Sequence, residues 1–155
     1  MSTAQVWLDA YAERHQNPVN KALQWVCIPL IVISLIGILW SIPVPAAFYA
    51  ISPALNWGTA FLLAAVVYYF VMSWSLALGM LPVVVGIVAV VIWMDSLPFS
   101  LLYASMALFV AALIGQFVGH AIEGNKAAFV DDLQWLMIGL LWILAAIYRQ
   151  FGVRY

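Results

Sequence analysis

Between Lys21 and Asp95 the chain runs for 73 residues without a single Asp, Glu, Lys or Arg. The apolar positions form continuous runs, not the two-residue alternation of a barrel strand. In hydrocarbon, a backbone that must pair its own polar groups is helical. The pattern predicts an all-α fold, a polytopic membrane helical bundle of about five transmembrane helices. Prolines, glycines and polar clusters divide it. The first span is expected from Val26 to about Phe48, with Pro29 in its first turn and Pro43 and Pro45 at its end. The second runs from Thr59 to Leu78, and Gly79 and Pro82 then mark a tight turn. Leu81 to Met94 would rise only about 21 Å against a hydrocarbon core of roughly 30 Å, so it reads as a short span or a re-entrant segment. The fourth span runs from Phe99 to Val118 and the fifth from Leu133 to Phe151. Between them lies the most polar stretch, Gly119 to Asp132, a loop or interfacial helix in which Asp131 and Asp132 cap the last span.

Ahead of the first span, Trp7, Tyr11 and His15 recur every four residues and share one face of a helix, while Asp9, Glu13 and Arg14 point elsewhere. This predicts an N-terminal amphipathic helix on the membrane surface that stops by Asn17, because the residue before Pro18 is pushed out of the α region. Met1 to Lys21 is polar and mixed in charge, unlike a signal peptide, so the N-terminus is expected to be retained. No internal repeat or linker divides residues 1–155, which read as a single integral membrane domain.

Composition narrows the function. Five Lys+Arg against six Asp+Glu leave a net charge of -1 and no basic stripe, which excludes nucleic acid as a partner. Cys27 stands alone, so it makes neither a disulfide nor a thiolate metal site and reads as a small buried apolar residue. With five crossings, Arg14, Lys21 and Lys126 fall on one side and Arg149 and Arg154 on the other. The positive-inside rule then places the N-terminus in the cytoplasm. The expected location is the bacterial inner membrane, or the endoplasmic reticulum membrane if the source is eukaryotic. Trp7, Trp25, Trp57, Trp93, Tyr148 and Tyr155 lie near span boundaries, as aromatic belts do. Gly115 and Gly119 form GxxxG, which allows close helix approach within the chain or in a homodimer.

The residues capable of chemistry fall into two clusters. His15, Gln16, Asn17, Asn20 and Lys21 precede the first span; Gln116, His120, Glu123, Asn125 and Lys126 close the fourth. Four crossings bring both clusters to one membrane face, whereas three would separate the only two histidines. His120 and Glu123, three apart on a helical extension, project from one face with Gln116 a turn earlier, and His15 adds a second imidazole. Two histidines and a carboxylate match the facial site of non-haem iron oxygenases. The bland alternative is a pair of interfacial hydrogen-bonding histidines.

The run HQNPVNK from His15 to Lys21, followed by Trp25-Val26-Cys27-Ile28-Pro29-Leu30, resembles the H-x-x-P-x-N signature of a small membrane family. That family, the membrane 2-hydroxy fatty acid dioxygenases, was long catalogued as a domain of unknown function. Its fungal member is named for metabolism of phytosphingosine to odd-numbered fatty acids. Gly115-Gln116-Phe117-Val118-Gly119-His120 and Glu123-Gly124-Asn125-Lys126-Ala127 resemble its second polar block, and the similarity spans nearly the whole chain. The resemblance implies an iron(II)-dependent dioxygenase that uses dioxygen to shorten 2-hydroxy fatty acids by one carbon, without 2-oxoglutarate. His15 and His120 would be metal ligands and catalytic residues, and Asn20 an orienting neighbour. Nine residues after the first histidine the family usually carries another histidine, and here stands Gln24. Glu123, the carbonyl of Gln24 or a water would fill that position. Asn17, Asn20, Lys21, Gln116 and Asn125 are candidates for supporting the metal site or contacting substrate; Arg14 or Lys21 would neutralise the carboxylate. The acyl tail would lie among the spans, beside membrane lipid. The alternative is a catalytically inert lipid-binding or scaffold protein of the same fold, for which Gln24 speaks. A transporter or channel is disfavoured by the 73 uncharged residues.

Overall fold

The structure, a computed structural model, describes residues 3–124 and 133–155. Among these residues the chain is all helical: α1 (Thr3–Glu13), α2 (Pro18–Ser41), α3 (Ala46–Ile51), α4 (Trp57–Met72), α5 (Trp74–Asp95), α6 (Leu101–Glu123) and α7 (Leu133–Gln150). Three of them, α2, α5 and α6, are long and apolar enough to cross a membrane, in keeping with a membrane protein; α4 and the apolar part of α7 are shorter.

Capping sets where the helices begin, and it shifts the expected boundaries. The Asn17 side chain accepts a hydrogen bond from the Val19 N–H at 2.9 Å, and Pro18, which has no N–H to leave unpaired, opens α2. The first span therefore starts eight residues before Val26 and stops at Ser41 rather than Phe48. Pro29 sits inside it rather than in its first turn. An Asn56–Thr59 capping box starts α4.

The expected second span breaks at Ser73. That residue is extended, with φ −166° and ψ 124°, and its hydroxyl accepts from the Leu76 N–H to start a new helix. Gly79 and Pro82 make no turn; both lie within α5, whose 22 residues replace the short Leu81–Met94 segment. Gly79 is a packing contact, since a Cβ there would collide with the Tyr148 ring. The fourth span continues through His120 to Glu123 and ends at Gly124, in the left-handed region at φ 77°. Asn125, Lys126, Asp131 and Asp132 lie outside the described residues.

α2, α4, α5 and α6 run alternately up and down, with α2 packed most extensively on α6 and α4 on α5. The C-terminus of α2 and the N-terminus of α4 meet the α5–α6 connection at one end of the bundle. The N-terminus of α2 and the C-terminus of α6, with both histidines, form the other.

α7 departs from the expected fifth span. Its boundaries agree, but its contacts stay at the histidine end. Tyr69, near the end of α4, donates to the Met137 carbonyl at 3.0 Å, and Tyr148 donates to the Ser75 carbonyl, near the start of α5, at 2.8 Å. Both ends of α7 thus touch the same end of the bundle. The Ser75 hydroxyl bonds the Arg154 carbonyl at 3.1 Å, so Arg149 and Arg154 share that end with Arg14 and Lys21 instead of facing them across the bundle. α1 is not a free surface helix either: Ala4, Leu8 and Tyr11 are buried, and α1 packs on α7.

The GxxxG stripe is taken up within the chain. A Cβ at Gly115 would stand 2.5 Å from Cys27 Sγ, and one at Gly119 would strike Asn20 Oδ1, so both glycines face α2 rather than a second copy. Gly115→Ala is expected to lower the thermal midpoint by several degrees, in line with the 1–3 kcal/mol that overpacking costs. Reporter fusions give a second check: tags at the two termini should report the same side of the membrane, and tags on opposite sides would restore a fifth crossing.

Candidate metal centre

His15 lies in the turn between α1 and α2, and His120 in the last turn of α6. α2 and α6 are antiparallel neighbours, so the two rings meet at 5.2 Å between centroids, edge to face. Both are buried, at 1% and 3% exposure.

The His15 ring is held from several sides. It stacks on Tyr11 at 4.1 Å and lies 6.0 Å from Trp142 of α7. Its Nδ1 is 2.8 Å from the Tyr11 carbonyl oxygen. A carbonyl only accepts, so Nδ1 carries the proton and Nε2 of the neutral ring keeps its lone pair. That Nε2 is buried with no hydrogen-bond partner among the described residues, and so is Nδ1 of His120. Buried polar atoms are ordinarily paired, so two adjacent unpaired imidazole nitrogens ask for an explanation. Burial pulls the His15 pKa below its ordinary value, partly offset by the hydrogen bond to Tyr11 and by the charge of Glu123. The ring is thus neutral, the state in which imidazole binds a metal.

Glu123 projects from the same end of α6 as His120, but its carboxylate accepts a short hydrogen bond from the Asn17 N–H. It latches the α1–α2 turn to α6. Gln24 is fully buried in a closed amide network. Its Oε1 accepts from Tyr11 OH at 3.0 Å and from Gln116 Nε2 at 2.9 Å; its Nε2 donates to Gln116 Oε1 at 2.9 Å and to Asn20 Oδ1 at 3.1 Å. Both lone pairs and both protons are used. Burial pushes the Tyr11 phenol far up, so it stays a neutral donor. Asn20 Nδ2 is buried and makes no close hydrogen bond among the described residues, although its amide lies near enough to Glu123 to favour that carboxylate's charged form, while Lys21 is exposed in the first turn of α2.

Of the candidate residues, His15, His120, Asn17, Asn20, Gln24, Gln116 and Glu123 come together, and Asn125 lies outside the described residues. Among the described residues no group of three or more His, Cys, Asp or Glu gathers around one point. Sequence reasoning missed Tyr11 as a support for His15, although its spacing of four residues was visible. Trp142, mid-helix in an apolar run, carries no signal of its own.

The family model for 2-hydroxy-palmitic acid dioxygenase Mpo1-like proteins matches residues 1–151. The chain belongs to that family. No curated protein and no solved structure matches it. For this family member the donor set fits a divalent metal to the extent of two imidazoles with free nitrogens. Gln24 and Glu123 already have hydrogen-bond partners.

Two outcomes follow. Gln24→Leu removes the acceptor of Tyr11 OH and leaves the buried Gln116 amide without Gln24, and should cost about 1–3 kcal/mol, read as a lower thermal midpoint. Adding Gln116→Leu should cost less than the sum of the two single changes, because the second removes a group already orphaned. The lowered His15 pKa sets a pH dependence for metal-free protein. The unfolded chain takes up this proton near pH 6.5 and the folded chain only at lower pH. Its contribution to stability is complete above about pH 6.5 and is lost as pH falls below that value. Thermal midpoints across pH 5 to 8 should show this loss in the wild type and less of it in His15→Gln.

Proposed function

We propose that the protein is an iron(II)-dependent dioxygenase that converts a 2-hydroxy fatty acid to the acid one carbon shorter. The observation that carries this reading is the pair of unpaired, buried imidazole nitrogens, His15 Nε2 and His120 Nδ1, in a member of this family. The overall change balances: a 2-hydroxy acid and dioxygen give the shorter acid, carbon dioxide and water.

His15 and His120 would hold iron(II), which would supply the one-electron chemistry that lets dioxygen react with a closed-shell substrate. The chain's own residues prepare the place. Tyr11 holds His15 in one tautomer and one plane through its carbonyl and its ring. Glu123 fixes the turn that carries His15 against the helix that carries His120. The hydroxyl and carboxylate oxygens of a 2-hydroxy acid would be the polar groups of the substrate to be held beside the two imidazoles. Asn20 Nδ2 offers a buried donor for one of those oxygens, and Lys21 stands exposed one helix position further on, where it can meet the carboxylate. The apolar faces of the bundle keep the acyl tail out of water.

The saturated amide of Gln24 favours a second reading, an inert lipid-binding relative whose third ligand position has become structural. One experiment separates the two. Purified protein is reconstituted anaerobically with iron(II) and given 2-hydroxypalmitic acid, and oxygen uptake, bound iron and product mass are measured together. The oxygenase predicts about one iron per chain and a C15 acid, with uptake lowered at least a hundredfold in His15→Ala and His120→Ala, as for loss of a principal catalytic group. Equal, low iron in wild type and both variants would leave the inert relative.

A further inference from the structure

The end of the bundle opposite the histidines holds a cavity of about 500 Å³, within the size range of small-ligand sites. It is formed where the end of α2, the α3 segment, the start of α4 and the α5–α6 connection converge. The neighbouring stretch of chain is tied together: Trp57 Nε1 donates to the Pro43 carbonyl at 3.2 Å, and the Phe48 and Trp57 rings lie 4.9 Å apart.

Asp95 is the one ionisable acid lining this cavity. It is the last residue of α5, at the negative end of that helix's dipole, where a carboxylate is electrostatically disfavoured. Arg14, Lys21, Arg149 and Arg154 are all at the histidine end, so among the described residues Asp95 has no cation to meet. Trp40 and Tyr49 also line the cavity and bring to it aromatic rings, the side chains whose faces attract cations. The cavity is also lined by the first turn of α6, with Ser100 at the positive end of that helix, five residues after Asp95. The cavity thus offers an exposed carboxylate for a positive group and a helix start for a negative one.

The cavity does not close on itself. Leu55 is shared with an apolar recess of about 290 Å³, which shares Thr59 and Leu63 with another of about 230 Å³ between α4 and α5. Together they continue along α4 from Thr59 to Val66, about 10 Å of groove at 1.5 Å per residue.

We propose that this end of the protein is a lipid site for a zwitterionic phospholipid with a primary ammonium headgroup. The ammonium sits against Asp95, the phosphate faces the start of α6, and one acyl chain lies in the α4 groove. The site is separate from the histidines and does not depend on their chemistry.

Full-length protein in detergent is titrated with phosphatidylethanolamine, phosphatidylcholine and phosphatidylglycerol of identical acyl chains, and bound lipid is counted by native mass spectrometry. Phosphatidylethanolamine should be retained about threefold better than either other lipid, as expected for one interfacial ion pair. Asp95 is exposed and unpaired, so Asp95→Asn should fold normally and lose this preference, whereas Lys21→Gln at the other end should keep it. A photoactivatable phosphatidylethanolamine should label α4 between Leu55 and Val66, and Leu63→Trp should lower retention of all three lipids. Equal retention of the three lipids, an unchanged preference in Asp95→Asn, or labelling at the histidine end would each overturn the proposal.

Discussion

α2 and α6 come together because side chains are missing where they touch. Gly115 leaves room for Cys27, Gly119 for Asn20 and, from the other helix, Gly37 for Ser105. In a lipid solvent there is no hydrophobic drive between apolar helices, so close packing of this kind does the associating. The two helices run in opposite directions, and their approach delivers the start of one and the end of the other to a single place. The meeting of His15 with His120, the Glu123 latch on Asn17 and the Gln24–Gln116 amide pair all depend on that distance.

The amide pair shows how polarity is managed inside such a body. Gln24 and Gln116 are completely buried, and a lone amide there would be costly. Paired with each other, and with Tyr11 and Asn20 around them, they satisfy the hydrogen-bonding capacity of Gln24 and tie α1, α2 and α6 together. The atoms left unpaired beside this network, His15 Nε2, His120 Nδ1 and Asn20 Nδ2, contrast with it. The satisfied network and the open imidazole nitrogens thus lie side by side at one end of the bundle.

The two ends of the bundle differ in charge as well as chemistry. Because α7 lies across the histidine end, the described cations collect there and Asp95 is left at the other. Arg14, Lys21, Arg149 and Arg154 thus share the end of the bundle that carries the histidines.

Much of this was legible from residue order. The all-helical class, the membrane setting, the stop before Pro18 and the two polar clusters follow from uninterrupted apolar runs, proline geometry and the rarity of charge. What residue order left open was decided by contacts between distant segments. Gly79 and Pro82 read as a turn, yet the break came at Ser73, because a helix end depends on which hydroxyl caps the next one and a glycine can serve packing instead of turning. Leu133 to Phe151 reads as a span by hydropathy alone, but whether an apolar helix crosses or lies along one end depends on the partners of Tyr69 and Tyr148. The role of Gln24 was equally out of reach, since a glutamine is ligand or scaffold according to whether its lone pairs are already taken, and Gln116, 92 residues away, takes one of them.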